Sequence, residues 1–440
     1  MECTGKPNGF DTEVVIIGAG AAGLAAADHL QKAGISTCVY EAKSKISGRI
    51  RTIRHWIGQR KSRPLEQGAE FIHWEPDSSR LWRKLLKENE LKTQEISGTG
   101  ETIIGKEFFH DMRDRAPRSN GLLDRLREEI ELHFQSGGKD MDLKLFIKRN
   151  SEALRLTRDE RELLYGLLAN EYGSDPSELS LRVPFEPDSY ILRNYRIADG
   201  YESITNALSK GIDIRLNTAI TNVRWSTGNV IVSGPGAMAH AGKCLTTVPL
   251  GMMQQGIPGF DPLIPAEKYT AMNAMNNGRL VKVFMEFRER FWNANASFIR
   301  GGKSQLAWPP FIKDAKDHPF LTALIGGRHA GQLADINGGE AAREVALEIM
   351  RAYGVRHPRG MFKNGSIISW HDEPWIHTGY SSLKPGSDPS VRETLRAPVD
   401  NTLYFAGEAT SAKFPATVTG AMDTGIQAAQ EIIDDLRRTA

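Results

Sequence analysis

The chain has 440 residues, with 56 Lys and Arg against 54 Asp and Glu and a formal net charge of +2. That length suffices for a large core and about two domains, and the balanced charge gives no indication of an electrostatic nucleic-acid partner. The three cysteines, Cys3, Cys38 and Cys244, show no metal-type spacing and no disulfide framework, which fits a reducing compartment.

The sequence predicts no targeting segment and no membrane span. Residues 1–13 contain no basic stretch followed by an unbroken apolar run. The apolar stretch that begins at Val14 is interrupted by glycines too early to cross a bilayer. We therefore expect a cytoplasmic protein without nucleic-acid or membrane partners, and the sequence leaves a homodimer open.

The first predicted element is a buried strand that leads through a glycine turn into a helix. Four consecutive β-branched residues, 14–17, indicate the strand. In the motif Gly18-x-Gly20-x-x-Gly23, the first glycine permits a tight turn, the second lets backbone approach a pyrophosphate, and the third lets helix and strand pack closely. The helix begins at Ala21 and Ala22, and its unpaired N–H groups would face that pyrophosphate.

A second predicted strand, residues 36–40, ends at Glu41, which follows Gly23 by 18 residues. A carboxylate about 20 residues after the glycine turn binds a ribose hydroxyl in dinucleotide-binding folds. Glu41, where a basic residue would be needed for a 2′-phosphate, favours FAD or NAD over NADP. The alternative is an ordinary βαβ unit that binds no nucleotide.

The rest of the chain alternates between helical and strand-rich stretches. We predict helices at 80–91, at intervals through 121–181, at 201–208, at 341–353 and at about 417–436, and a hairpin-type link at 98–105. We predict strands at 212–216, 220–225, 230–232, 244–248, 280–287, 321–325, 367–370 and 403–405. The charged helical residues 121–181 differ in composition from the Gly- and Val-rich start of the chain. We therefore predict a discontinuous first domain (1–75, 196–261 and 371–440) and a second domain (76–195 and 262–370).

Four separated motifs resemble the flavin-containing amine oxidases in kind and order. They are the glycine turn with Glu41, the Gly48-Arg49 segment, the Gly68-Ala69 turn, and the C-terminal stretches 405–410 and 417–421. Further segments, at 169–172, 180–181, 199–201 and 247–251, resemble the branch of polyamine oxidases and histone-lysine demethylases. The resemblance spans nearly the whole chain. It implies an α/β fold with a Rossmann-type, glutathione-reductase-like FAD-binding domain and an interleaved α+β substrate domain.

The resemblance also implies noncovalent FAD. Gly379 stands where monoamine oxidases carry the cysteine bonded to flavin. Arg49 would lie near the phosphates, Val223 would place backbone against the adenine, and Glu408 would contact the pyrophosphate–ribityl region. The helix beginning at Val418 would face the flavin. Two alternatives stay open: Arg49 could be a solvated loop residue, and the last helix could serve packing alone. The implied cofactor residues are Gly18, Gly20, Ala21, Ala22, Gly23, Glu41, Ala42, Gly48, Arg49, Gly68, Ala69, Glu70, Phe71, Val223, Trp375, Gly407, Glu408, Thr417 and Val418.

The implied catalytic residues include a lysine on a strand. In the family, the lysine at the place of Lys282 is buried and holds a water against flavin N5, whereas the strand pattern alone favours a solvated lysine. Tyr380 would form an aromatic wall that guides the amine, and Trp370 belongs either to that site or to the core. Thr417 stands where monoamine oxidases have a second tyrosine.

Three further residues have both a functional and a structural interpretation. His73 resembles an active-site histidine of animal polyamine oxidases, although a lone histidine is often structural. Glu70 and Glu171 could line an acidic route for a cationic amine, or belong to a solvated face.

These expectations predict an FAD-dependent amine oxidase of polyamine-oxidase type. Hydride would pass from the amine α-carbon to flavin N5, the resulting imine would hydrolyse to an aldehyde, and O2 would reoxidise the flavin to give H2O2. An L-amino-acid oxidase would instead need an arginine, such as Arg182 or Arg193, for the substrate carboxylate. The sequence also leaves open a flavin oxidase or dehydrogenase of a secondary-metabolite amine, and a demethylase-like or scaffolding protein.

Overall fold

The computed structural model describes residues 10–54, 64–73, 79–96, 99–105, 107–111, 118–185, 194–302, 304–310 and 319–439. Cys3, Arg193 and part of the loop at 54–63 lie outside these ranges. The strands are β1 (Thr12–Ile17), β2 (Thr37–Tyr40), β3 (Thr52–Ile53), β4 (Leu65–Glu66), β5 (Thr93–Glu95), β6 (Thr99–Ile104), β7 (Glu107–Asp111), β8 (Tyr195–Ile197), β9 (Asp213–Arg215), β10 (Asn222–Ser226), β11 (Asn229–Gly234), β12 (Ala237–Thr246), β13 (Gly259–Asp261), β14 (Met275–Asn277), β15 (Leu280–Phe287), β16 (Ala296–Arg300), β17 (Leu306–Trp308), β18 (Phe320–Gly326), β19 (Phe362–Ser369), β20 (Ser381–Leu383) and β21 (Leu403–Phe405).

The α-helices of the described ranges alternate with these strands. They are α1 (Ala21–Lys32), α2 (Arg80–Glu88), α3 (Arg118–Gln135), α4 (Leu143–Arg149), α5 (Arg158–Tyr172), α6 (Glu202–Leu208), α7 (Leu250–Gln254), α8 (Ala266–Asn273), α9 (Gly327–Ala334), α10 (Gly338–Ala352), α11 (Pro358–Met361), α12 (Val391–Arg396) and α13 (Val418–Thr439). Within the described ranges, every helix is too short or too polar to span a bilayer.

The first large sheet has eight strands and is parallel around β1. Strand β1 lies between β2 and β12, both parallel to it, and β9 and β21 extend the parallel part. Strands β10 and β11 add an antiparallel hairpin beside β12. Val14, Val15 and Ile16 are fully buried in β1 because both faces of this sheet are covered, as in other doubly covered parallel sheets.

Helices α1 and α13 pack together over the first sheet. The alanines of α1 are buried, and glycine lets α13 approach closely, since a Cβ at Gly425 would lie 2.2 Å from the carbonyl oxygen of Ala22. The two helices that begin at the glycine turn and at Val418 are therefore fixed against one another.

The second large sheet has seven strands in the order β19-β15-β18-β17-β16-β6-β7 and is antiparallel apart from the β16–β6 pair. Strand β15 lies between β18 and β19. Val281, Val283 and Met285 pack against α9 and α10 on one face. Lys282 and Phe284, on the other face, are also buried, so β15 has no solvated face. The residues of the two sheets interleave along the chain, and the predicted domain boundaries stay a prediction.

Two local predictions had the wrong extent. Residues 98–105, predicted as a hairpin-type link, include a full strand: 99–104 form β6, which makes an antiparallel hairpin with β7 and also pairs with β16. The polar residues of β6 hid this strand: Glu101 is fully buried and is bonded by the Tyr353 hydroxyl. The strand predicted at 244–248 begins already at Ala237 and ends at Thr246, because a tight turn after Gly234 joins it to β11.

Candidate functional site

A single cavity of about 360 Å³ is lined by segments of both large sheets and by the start of α13. Its walls are mainly apolar, with a few charged groups at fixed places. From the predicted set, the cavity is lined by Gly18, Gly20, Ala21, Ala22, Glu41, Ala42, Gly48, Arg49, Gly68, Ala69, Glu70, Phe71, His73, Lys282, Trp370, Trp375, Tyr380, Gly407, Glu408, Thr417 and Val418.

The glycine turn opens the cavity at the N-terminus of α1. Gly18 has a φ of +105°, and a Cβ at Gly23 would lie 2.0 Å from the carbonyl oxygen of Gly18, so both positions need glycine. Gly20 is the N-cap of α1 and has no side-chain cap, and a Cβ there would meet no atom within 4 Å. The first N–H groups of α1 therefore reach a space that is open to a negatively charged group.

Glu41 is fixed at the edge of that space by backbone donors. Its carboxylate accepts hydrogen bonds from the N–H of Ala19 at 2.8 Å and of Lys43 at 2.9 Å, and its side chain is buried. Burial raises the pKa of Glu41, and the two backbone hydrogen bonds oppose that rise. Each oxygen keeps a further lone pair for a hydroxyl donor.

Arg49, which is partly buried, and Glu408, which is buried, form a charged network in the cavity wall. Arg49 Nη1 donates to the carbonyl oxygen of Gly379 at 2.6 Å and to Glu408 Oε1 at 3.0 Å. Glu408 Oε2 accepts from the Ser381 hydroxyl at 2.8 Å, and that hydroxyl accepts from Arg392 at 2.8 Å. Burial favours protonation of Glu408, but Arg49 and Arg392 hold its pKa below the usual value. Glu408 is thus a carboxylate between two guanidinium groups.

The last helix begins at the cavity and is capped by a threonine. Thr417 Oγ1 accepts from the N–H of Gly420 at 3.0 Å and donates to the carbonyl oxygen of Phe414 at 2.9 Å. Ala416, just before it, has a φ of +61° and also lines the cavity. The positive end of the α13 dipole therefore points toward the cavity.

Lys282 is buried, as the resemblance implied, and is paired with an acid. Its side chain is 3% exposed, and Nζ lies 2.6 Å from Glu70 Oε2 and 3.1 Å from the carbonyl oxygen of Gly68. Glu70 Oε1 accepts from Trp308 Nε1 at 3.0 Å and from Arg196 Nε at 2.8 Å. Burial favours protonation of Glu70, but Lys282 and Arg196 hold its pKa below the usual value.

Aromatic side chains form much of the remaining wall. The Tyr380 hydroxyl donates to the carbonyl oxygen of Asn170 at 2.5 Å, which fixes the ring. Burial, together with the charges of Glu171 and Glu408, raises the pKa of Tyr380 well above its usual value, so the phenol stays neutral. Trp370 Nε1 donates to the carbonyl oxygen of Gln67 at 2.9 Å.

His73 lines the cavity as a neutral imidazole. Its Nδ1 lies 2.9 Å from Asn194 Oδ1, and burial lowers its pKa. The ring packs edge-to-face near Phe71, at 6.3 Å between centroids. The side chain is therefore held in one orientation at the cavity wall.

Some predicted residues lie away from the cavity lining. Gly23 packs α1 on β1, and Val223 is fully buried inside β10, while Ile220 lines the cavity nearby in sequence. Arg182 is exposed and stacks on Phe134 at 5.0 Å, so it does not offer a carboxylate-binding group to the cavity.

Several site residues were not found by sequence reasoning. Arg196 and Trp308 stand in ordinary short strands, and Arg392 lies in a surface-like helix sequence. Asn170 and Tyr172 also line the cavity. They belong to the segment 169–172, which resembles the family, but the sequence predicted no role for them. Their contribution depends on partners far away in sequence, so no local motif marks them.

The chain matches known proteins along most of its length. The sequence pattern of the "Flavin containing amine oxidoreductase" family matches residues 21–433. Lysine-specific histone demethylase 2 of Homo sapiens is 28% identical over 95% of this chain and 53% of its own length. Polyamine oxidase 4 of Oryza sativa subsp. japonica is 26% identical over 98% of this chain and 89% of its own length.

The solved structure of cyclohexylamine oxidase from Brevibacterium oxydans matches with a TM-score of 0.79 and 19% identity, over 97% of this chain and 99% of that one. This likeness confirms the predicted α/β fold class, with a parallel sheet of Rossmann type. The chain spans only 30–53% of the length of three matching histone demethylases.

Proposed function

This chain belongs to the flavin-containing amine oxidoreductase family, and on that basis we propose that it is an FAD-dependent oxidase of small-molecule amines, similar to polyamine oxidases. One observation carries the proposal: a single cavity joins the glycine turn and Glu41 to Lys282 and Tyr380. The end that would bind the dinucleotide and the aromatic, mainly apolar end are thereby continuous.

The residues at the dinucleotide end fit FAD. The uncapped start of α1 and the open space at Gly20 suit a pyrophosphate. Gly407 has a φ of +136°, and a Cβ there would meet no atom within 4 Å, so backbone is accessible at that place too. Glu41 would bind ribose hydroxyls, and Arg49 would balance phosphate charge. These four features would hold the cofactor.

We propose that the FAD is held noncovalently. The cysteines of the described ranges, Cys38 and Cys244, are buried on the strands that flank β1, and neither is part of the cavity lining. Gly379, at the place of the flavin-linked cysteine of monoamine oxidases, packs against Leu280 instead.

When bound, FAD supplies a hydride acceptor for the amine α-carbon and a route for the electrons to O2. The chain orients the amine and supplies an apolar wall to the cavity. Tyr380, fixed by Asn170, and Trp370, fixed by Gln67, present rigid aromatic surfaces that exclude water and favour the neutral amine over its ammonium form. Lys282 presents a fixed N–H donor beside them, and the start of α13 favours negative charge that develops nearby.

The demethylase relatives favour a second substrate class, an N-methylated amine. The aromatic wall alone does not separate such amines from polyamines or simple monoamines. The L-amino-acid oxidase interpretation loses its candidate Arg182, which lies outside the cavity lining and is exposed.

The test is anaerobic mixing of the purified protein with polyamines, monoamines, amino acids and N-methylated amines. We expect loss of the visible flavin absorbance with at least one amine, and H2O2 when air is admitted. tert-Butylamine, which has no α-hydrogen, is the matched control and should leave the absorbance unchanged. A colourless protein that takes up no added FAD, or a flavin that no amine reduces, would refute the proposal.

A further inference from the structure

The pairing of Glu70 with Lys282 has a consequence for the charge at the cavity wall. Resting on the proposed function, we propose that Glu70 is a positioning residue whose carboxylate keeps the Lys282 ammonium protonated and fixed in place. Glu70 would then be neither a direct ligand of the cofactor nor part of an acidic route for the amine.

The contacts of Lys282 fix two of its three N–H groups. One is directed at Glu70 Oε2, 2.6 Å away, and one at the carbonyl oxygen of Gly68, 3.1 Å away. The ammonium also lies 5.3 Å from the centroid of the Trp308 ring. Because an ammonium group has three donors, one remains to serve the cavity that the side chain lines.

Glu70 is fixed as firmly as the lysine it pairs with. Its second oxygen accepts from Trp308 Nε1 and Arg196 Nε, and Arg196 Nη1 is bonded to the carbonyl oxygen of Pro310 at 2.9 Å. The Arg196 guanidinium also stacks over Phe71 at 5.3 Å. Rotation of the carboxylate would break three hydrogen bonds in a buried site, so Glu70 cannot swing toward a substrate amine.

The charges in this cluster explain why the acid is needed. Lys282 and Arg196 carry two positive charges against the single negative charge of Glu70, and Glu70 is 5% exposed at its side chain. A buried ammonium without a counter-ion loses its proton, with a pKa that falls by as much as 3–5 units. The neighbouring carboxyl that also faces Lys282 and Glu70 is Glu66, which instead bonds Tyr201 and Thr52.

The tertiary arrangement brings this cluster to the wall of the cavity that we propose holds the flavin. Glu70 follows the Gly68-Ala69 turn, Lys282 lies on β15, Trp308 ends β17, and Arg196 lies on β8. All but Arg196 line the cavity. A lysine held charged there gives a fixed positive potential and a donor of fixed direction, whereas a neutral lysine would give neither.

The test is a pH titration of the absorbance spectrum of the FAD-bound protein. In Glu70→Gln, we expect a new spectral transition that is absent from the wild type, because a buried ammonium that has lost its counter-ion gives up its proton more readily. The double variant E70Q/K282M should lack that transition. Glu66 titrates close to neutral pH, and its pKa responds to the charges of both Glu70 and Lys282. E70Q and E70Q/K282M are therefore compared in an E66Q background, where the remaining difference between the two profiles reports Lys282.

Glu66→Gln is the matched control, because it removes a buried carboxyl from the same region without removing the partner of Lys282. It should produce no new transition. If E70Q fails to fold, E70Q/K282M should fold and retain FAD, because it restores the net charge of the native cluster. Recovery in the double variant supports the pairing.

Identical pH profiles for E70Q and wild type, or a double variant no better than an unfolded E70Q, would overturn the inference. These outcomes differ from failure of the proposed function, in which the wild-type protein would take up no FAD or would not be reduced by any amine.

Discussion

Glu66 provides a prediction about stability whose size follows from its burial. The carboxyl lies at the end of β4 and is 7% exposed, with the N–H of Tyr201 at 2.9 Å and the Thr52 hydroxyl at 2.8 Å. Burial raises its pKa from 4.5 to about 7, and the charge of Glu70 adds to the rise, while the two hydrogen bonds oppose it. Replacing Glu66 by Gln mimics the protonated form at every pH.

The sign follows from the protons that each state binds. Below pH 4.5 the carboxyl is protonated in both states and contributes no pH dependence. Between pH 4.5 and 7 the folded state holds more protons, so the free energy of unfolding falls as pH rises. Above pH 7 the carboxyl is charged in both states. The raised pKa then lowers the free energy of unfolding by its full amount, about 3 kcal/mol.

We therefore expect E66Q to unfold at nearly the same urea concentration as wild type at pH 4, and at a higher one at pH 8. The gain in the free energy of unfolding at pH 8 should approach about 3 kcal/mol. Glu373→Gln is the control of opposite sign, because Arg51 and Lys43 hold the pKa of Glu373 below its usual value against the effect of burial. An E66Q variant with the same pH dependence as wild type would refute the reasoning.

Three further predictions concern the cofactor end and the lysine. Gly425→Ala places a Cβ 2.2 Å from the carbonyl oxygen of Ala22 and should lower both thermal stability and FAD retention. Its control is Gly121→Ala, which adds a Cβ in open space on α3 and should stabilise the protein by about 0.5–1 kcal/mol. Equal melting temperatures for these two variants would contradict this prediction. Glu41→Gln turns an amide donor toward a backbone N–H and should weaken FAD binding at least about tenfold in a fluorescence titration; unchanged affinity would remove its role. Lys282→Met should keep FAD bound but slow flavin reduction and reoxidation in stopped-flow measurements, and undiminished rates would exclude the lysine.

Local sequence was sufficient where the structure is built from neighbouring residues. The strand, glycine turn, helix and second strand of the first unit lie within residues 12–41, and Gly18, Gly20 and Glu41 all line the cavity as expected. The requirement for glycine at Gly18 and Gly23 is a property of the backbone itself, so it is visible in one short motif.

Pattern reasoning failed where polar residues are buried by distant partners. Strand β6 was missed because Glu101 and Thr102 look solvated, yet both are fully buried between β7 and β16. Period-two alternation correctly separated the two faces of β15, but it predicted a solvated face for Lys282, whose 3% exposure agrees with the family resemblance instead. Burial of a charge depends on its counter-ion, which alternation does not reveal.

The sequence alone was sufficient for the family, the fold class and the position of the proposed dinucleotide-binding end, because those depend on short motifs with strict backbone requirements. The tertiary structure decided the partners and the direction of the charged groups at the other end. Glu70, Arg196, Lys282 and Trp308 are separated by up to 238 residues and meet only when both sheets are formed. The electrostatic state of a buried group is set by its neighbours in space. For these residues, those neighbours cannot be identified from their positions in the sequence.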